Sequence, residues 1–316
     1  MTQQCAALTA DNTNWGFCPN LPAAYLFAIL FGLTLIAHIV QMIWQRKWYC
    51  WVVCLSAAMQ VATYVLRILS IKSPANEGYY SEWFVLILVA PVFANAFVYM
   101  AMGRMVYNFT IKGSVYGIRA WHFGLIFVCL DVLALFVQIG GAAIASSTQT
   151  DTKTIMLGLH VYMGGIGFQQ LCIFAFLGLS ARLHMQLRSQ PVSPQRRTAF
   201  RLLYVMYAVV GLITLRIIFR LIEYSRGLQS TIPLHEAYQY TLDSLPMLIA
   251  LVLLNIAHPG TLMPGKECNM PGRKQRKLMK KEGRQAKGRA EEYFLTRESP
   301  YRPVSRTNTY MRMAQV

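Results

Sequence analysis

The sequence predicts an all-α polytopic membrane protein: seven transmembrane helices, N-terminus outside, C-terminus cytoplasmic. Three observations predict it. Seven apolar stretches are each long enough to cross a bilayer, whose core of roughly 30 Å needs about 20 helical residues. Hydrophobic residues make up 55% of the chain and charged residues 14%, with a mean hydropathy of +0.37, too apolar for an ordinary soluble domain. Basic residues gather in alternate connections, which orients the bundle. No stretch alternates with period two, as a spanning barrel would require. Helices are the remaining way to satisfy backbone polar groups in lipid.

The expected spans are 22–44, 48–69, 83–105, 121–145, 155–179, 200–222 and 238–257. The organisation expected is an outer segment 1–21, a seven-helix domain 22–260 and a basic cytoplasmic tail 261–316, without a cleavable signal peptide. The first span carries His38 and ends before Arg46 and Lys47. In the second, Gln60, Tyr64 and Arg67 share one helical face. The third places Asn95 and Tyr99 in line with Gly103, below Pro91. The fourth has Asp131 and Gln138 seven residues apart. The fifth carries the stripe Gly158, Tyr162, Gly165 and Gln169. The sixth carries Arg216, Arg220 and Glu223, and the seventh Glu236, Tyr240 and Asp243. Pro91 and Pro246 are expected to kink their helices.

Arg46, Lys47, Arg104, Lys112, Arg119, Arg182, Arg188, Arg196, Arg197 and Arg201 fall on one side with the tail. The opposite connections hold only Lys72, Lys153 and Arg226, offset by Glu77, Glu82 and Asp151. The tail carries 14 Lys and Arg against 5 Asp and Glu, concentrated in residues 272–289. Placed directly after a membrane domain, such a run suits anionic lipid better than nucleic acid, or it is a solvated tail that only fixes topology. Cys5 and Cys18 lie in the outer segment, where they form a disulfide or remain two free thiols. The sequon Asn108-Phe109-Thr110 falls on the cytoplasmic side and is expected to stay unmodified.

Ionisable residues inside spans are costly, so they face the bundle interior or a cavity. Arg216 and Arg220 sit in the outer half of the sixth helix, at the depth of Asp243 and Glu236 in the seventh. The matched depths predict Arg216 pairing with Asp243, and Arg220 with Glu236 or Glu223, with Arg67 able to join. Two readings of this cluster stay open. It braces helices, as interhelical polar pairs do, or it lines a hydrated outer cavity for an amphipathic ligand. Among His38, His122, His160, His184, His235 and His258 there is no HxxxH or HExxH spacing, so neither metal nor cofactor is expected. No serine-nucleophile motif or phosphate loop occurs, and Gly164, Gly165 and Gly167 read as helix-packing glycines. The last span lacks the lysine of a retinal protein. GRMVY and NIAHPG stand where a typical G-protein-coupled receptor has its DRY and NPxxY signatures.

Taken in order, these motifs resemble the fungal lipid-translocating exporter family of aminocholesterol-resistance and sphingoid-base-translocating proteins. The third helix supplies Ala90, Pro91, Phe93, Ala96, Tyr99 and Arg104; the fourth Asp131, Gln138, Gly140 and Gly141; the fifth Gly158, Gly165 and Gln169 or Gln170. The last two supply Arg216, Arg220, Glu223, Gly227, Glu236, Tyr240, Asp243 and Pro246, then His258, Pro259 and Gly260. One departure stands in the second helix. Gln60 and Thr63-Tyr64 replace a Glu and a Gly-Tyr pair common in the family, while Arg67 is kept. The resemblance implies a non-enzymatic exporter or translocase of sphingoid bases or sterol-like toxins at the plasma membrane, linked to lipid or drug stress. The reading of the polar stripes as a hydrated cavity makes Arg67, Asn95, Asp131, Gln138, Gln169, Arg216, Arg220, Glu223, Glu236, Tyr240 and Asp243 the candidate ligand contacts. The runner-up is a seven-helix lipid-sensing receptor that signals through its tail.

Overall fold

The computed structural model describes residues 5–110, 113–145, 151–191, 193–225 and 235–263, and scattered positions from there to 281. Lys112, Arg226, Gly227 and most of the basic run 272–289 lie outside the described residues.

Among the described residues, seven helical segments are long and apolar enough to cross a membrane. They are α1 (Leu21–Trp44), α2 (Trp51–Lys72, entered through a 3-10 turn at Trp48–Cys50), α3 (Glu77–Phe109), α4 (Ala120–Ala145), α5 (Thr152–Arg188) and α6 (Pro194–Tyr224). The seventh is composite: α7 (Glu236–Gln239), a π-helical segment (Tyr240–Ser244) and α8 (Leu245–Ile256), followed by the short α9 (Pro259–Leu262). Side-chain caps set several starts. Asn20 accepts from Ala23 N–H before α1, Asn76 from Tyr79 N–H before α3, and Ser193 from Arg196 N–H before α6.

Consecutive helices α1 to α6 pack on one another, and α8 returns onto both α6 and α1, closing the ring. The apolar window of α3 is 67% buried and that of α1 only 22%. Hence α3 is the central post. The outward stripe of α1 (Leu26, Ile29, Leu33, Ile36, Val40, Ile43) faces lipid.

α3, α5 and α6 extend well past the expected spans. Arg182 and Arg188 therefore lie on α5, and Arg196 and Arg197 on α6, where the hydropathy reading has a connection. An apolar window stops at the first charges, whereas Arg, Leu, Met and Gln all favour helix. The third connection is a minimal hairpin, β1 (Ser114–Val115) on β2 (Ile118–Arg119). Tyr116 and Gly117, both at positive φ, form its two-residue turn.

At the other end the N-terminal segment lies across the bundle. Cys5 and Cys18 are disulfide-bonded, which resolves the alternative left open by the sequence. Asn14 anchors the segment with its backbone N–H and its side-chain amide, both donating to Pro74 O, at 3.0 and 2.9 Å. Trp15 is 2% exposed and donates its indole N–H to Ser70 O.

Candidate functional site

Asp243 is the hinge of the charge network. It lies in the π segment, 1% exposed, and its two carboxylate oxygens accept separately from Arg216 Nε and Arg220 Nη2. Arg220 Nη1 also donates to Glu223 Oε2 at 2.8 Å and to the Tyr224 hydroxyl at 3.3 Å. The expected pairing of Arg216 with Asp243 is present. Arg220 takes Glu223, one of its two expected partners, and adds Asp243.

The second amino group of Arg216 is held by backbone. Pro91 has no N–H, so within α3 it cannot bond the carbonyl of Ile87, four residues earlier. Arg216 Nη2 donates to that carbonyl at 2.7 Å instead. Ser56 Oγ donates to the neighbouring Ala90 O at 2.8 Å. In lipid a carbonyl freed by proline needs such a partner. Pro91 thus gives α6 a docking point on α3, a use beyond the expected kink.

Arg67 does not join that set. Its Nη2 donates to Glu236 Oε1 at 2.6 Å and its Nη1 to Gln239 Oε1 at 3.1 Å. Its guanidinium carbon lies 4.5 Å from the Trp83 ring centre, 5.2 Å from Trp15 and 5.3 Å from Tyr240, within cation–π range. Glu236 Oε2 accepts from Asn20 N–H at 2.6 Å. The N-terminal segment and the start of α1 therefore close over this pair. Tyr240 stacks on Phe27 and Tyr64, and the Tyr64 hydroxyl donates to Ser244 Oγ. One π segment thus sends Asp243 to α6 and Tyr240 and Ser244 to α1 and α2. The wider turn replaces the regular helical stripe expected for Glu236, Tyr240 and Asp243. Pro246, placed just after it at the start of α8, cannot donate back into the turn, and such π turns occur often at functional positions.

Deeper in the bundle a third set has no arginine. Asp131 Oδ2 accepts from Asn95 Nδ2 at 3.0 Å and from the Tyr99 hydroxyl at 3.2 Å. Gln138 Nε2 donates to Gln169 Oε1 at 3.2 Å. Close contact of α4 and α5 permits this. A Cβ on Gly158 would lie 2.6 Å from Ala145 N and 2.8 Å from Gly141 O, so the helices touch backbone to backbone. Gly165 packs similarly against Gln138 and Ala134 O, whereas Gly164 and Gly167 face open space. Only one of the three expected packing glycines packs.

The eleven expected site residues therefore fall into three groups rather than lining one cavity. The space among Pro91, Gln138, Gln169, Arg216 and Arg220 is about 10 Å³ for the centre of a water molecule, the limit for holding one. Sequence reasoning missed Trp15, Trp83, Gln239, Ser244 and the Ile87 carbonyl. Pro91 was the available signal for the last. Tyr99, on the same face as Asn95, was the signal for the Asp131 set. Among the described residues no group of three or more His, Cys, Asp or Glu could hold a metal.

This fold and site define a multi-pass seven-helix membrane protein whose Arg67, Arg216 and Arg220 are paired with carboxylates inside the bundle. Residues 53–266 match the profile of RTA1-like proteins, and the chain belongs to that family. Over 263 residues it is 40% identical to the probable lipid transporter atnI of Emericella nidulans, covering 80% of this chain and 69% of that protein. It is 25% identical over 306 residues to the sphingoid long-chain base transporter RSB1 of Saccharomyces cerevisiae, covering 84% and 78%. Protoporphyrin uptake protein 1 of the same yeast is 28% identical over 202 residues, covering 63% and 64%. No solved structure matches the chain.

Proposed function

We propose that this protein moves amphipathic lipids, sphingoid bases among them, across or out of the bilayer as a carrier rather than an enzyme. The likeness over most of the chain to proteins named for lipid and sphingoid-base transport carries the reading. The site chemistry supports it. Glu223, Glu236 and Asp243 offer carboxylates to a cationic headgroup. Arg67, Arg216 and Arg220 hold those carboxylates when no lipid is bound, or take a phosphate. A cationic headgroup that takes one of these carboxylates displaces its arginine, which must then reach a phosphate or water to avoid standing unpaired in low dielectric. Tyr240 presents a ring face beside the same carboxylate.

The orientation proposed is N-terminus outside and C-terminus cytoplasmic, in the plasma membrane, with a role in lipid or drug stress. Lys47 Nζ donates to Gly265 O at 2.8 Å, so the basic end of α1 and the end of the seventh span lie together, as the positive-inside rule asks. The disulfide sits at the opposite end, which suits an oxidising exterior. The basic run 272–289 then meets anionic lipid of the inner leaflet.

The test is efflux of a fluorescent sphingoid base from cells carrying Glu236→Gln. A several-fold slower efflux at equal protein level is expected, and unchanged efflux removes the headgroup role. A lipid-sensing receptor is the second reading, favoured by the closed site, whose free space takes no lipid. Deleting residues 274–289 separates the two. A carrier that still reaches its membrane keeps its flux, while a receptor loses its output.

A further inference from the structure

Among the described residues, one carboxylate in the membrane core has no counter-charge. Arg67, Arg216 and Arg220 offset Glu236, Asp243 and Glu223, so the outer network is neutral. Asp131, near the middle of α4 and 1% exposed, stands apart from it. Its Oδ2 accepts hydrogen bonds from two neutral donors and the neutral Gln169 amide lies close by, while among the described residues no donor meets its Oδ1 in hydrogen-bond geometry. The Oδ1 of Asn95, 2% exposed on the facing helix, is a second buried acceptor without a partner.

The groups near Asp131 on the packed helices are few. From α3 come Asn95 and the Tyr99 phenol, and from α5 the Gln169 amide and the Cys172 thiol. None is a cation. Arg216 and Arg220 line the small cavity on which Gln138 and Gln169 border, and both are already held by Asp243. An ionised carboxylate at this depth without a cation is not tolerated. The missing positive charge must come from the medium.

We propose that Asp131 is a binding site for a monovalent cation of the medium, and that lipid movement is coupled to its uptake and release. The coupling rests on the proposed lipid transport; the cation site does not. The space beside the Asp131 partners Asn95 and Tyr99 has no room for a water molecule, so the site suits a proton better than a hydrated ion. Hydronium gives its proton to Oδ1 and leaves water. The carboxyl is then neutral, and the bonds from Asn95 and Tyr99 to Oδ2 stay as they are. Loss of the proton leaves a bare charge that α3, α4 and α5 must part to hydrate. Binding therefore favours the closed bundle and release an open one.

The experiment uses the purified full chain. In infrared difference spectra at neutral pH, a protonated-carboxyl stretch is expected in the wild type and absent from Asp131→Asn. If that variant does not accumulate, Asn95→Leu, which removes one bond to Oδ2, is expected to shift the same band. A band missing from the wild type, with thermal unfolding raised by sodium over choline, assigns the site to sodium instead. Neither band nor sodium effect overturns the cation site. In liposomes carrying a fluorescent sphingoid base, one pH unit of gradient is expected to change the wild-type distribution ratio about tenfold for one coupled proton, and Asp131→Asn not to respond. Wild-type flux indifferent to pH and sodium gradients overturns the coupling and leaves the lipid reading standing. Absence of any flux overturns the lipid reading, with the coupling that rests on it, and leaves the infrared result intact.

Discussion

Asp243→Asn is the sharpest probe of the charge network. The substitution keeps the side chain's shape and one acceptor oxygen, but removes the charge and presents an amide N–H to a guanidinium. Asp243 serves two arginines, and they are not left equally poor. Arg220 keeps Glu223 at 2.8 Å. Arg216 keeps only the Ile87 carbonyl at 2.7 Å and no carboxylate. The loss is therefore one uncompensated buried cation, worth about 3–5 kcal/mol. An ordinary interhelical polar contact in a membrane protein averages about 0.6 kcal/mol, so the two accounts are separable. Unfolding by SDS in mixed micelles gives the number, with Arg216→Gln and the double variant completing the cycle. The double variant should cost less than Asp243→Asn alone, because Arg220 and Glu223 then remain as a neutral pair. A cost for Asp243→Asn below about 1 kcal/mol, the ordinary range of such contacts, would refute the reasoning. So would a double variant equal to the sum of the singles.

Four further outcomes are expected. Gly158→Leu drives a side chain into the backbone of Ala145 and Gly141 and should cost the upper end of about 1–3 kcal/mol. Gly164→Ala, with nothing within 4 Å of its Cβ, should stay within about 0.5 kcal/mol in the same assay. Cys5 and Cys18 should take a thiol label only after reduction; replacing both by Ser frees a segment closed over 13 residues and should speed its proteolysis, consistent with about 3 kcal/mol of lost constraint. Trp15→Ala removes the stacked partner of Trp83 and one face over Arg67; a lower unfolding temperature, partly restored by Trp15→Phe, is the expected reading, at about 1–2 kcal/mol.

Much of the site was readable before the fold. Arg216 with Asp243, and Arg220 with Glu223, follow from helical spacing and depth on two sequential helices. Both quantities are counts along the chain. Arg67 with Glu236 was only half legible. The partner was named for Arg220, because nothing along the chain says which helix α2 faces across the bundle. The aromatic cover from Trp15 was invisible, since it comes from a segment with no periodicity to read. The Ile87 carbonyl carries no side-chain signal at all. Its use by Arg216 needs Pro91 and α6 to meet in space.

By itself the sequence determined the membrane class, the seven crossings, the basic side and the face of each helix that carries polar groups. Apolar length, charge and helical period are local properties, and in lipid the backbone must satisfy itself within each helix. Only the tertiary structure decided that three arginines and three carboxylates pair into a closed and neutral network, that a π turn divides the last helix between two sets of partners, and that Asp131 meets no cation among the described residues. Those outcomes depend on which residues, far apart in the chain, come within hydrogen-bond reach. Helical period gives a residue's face but not its neighbour.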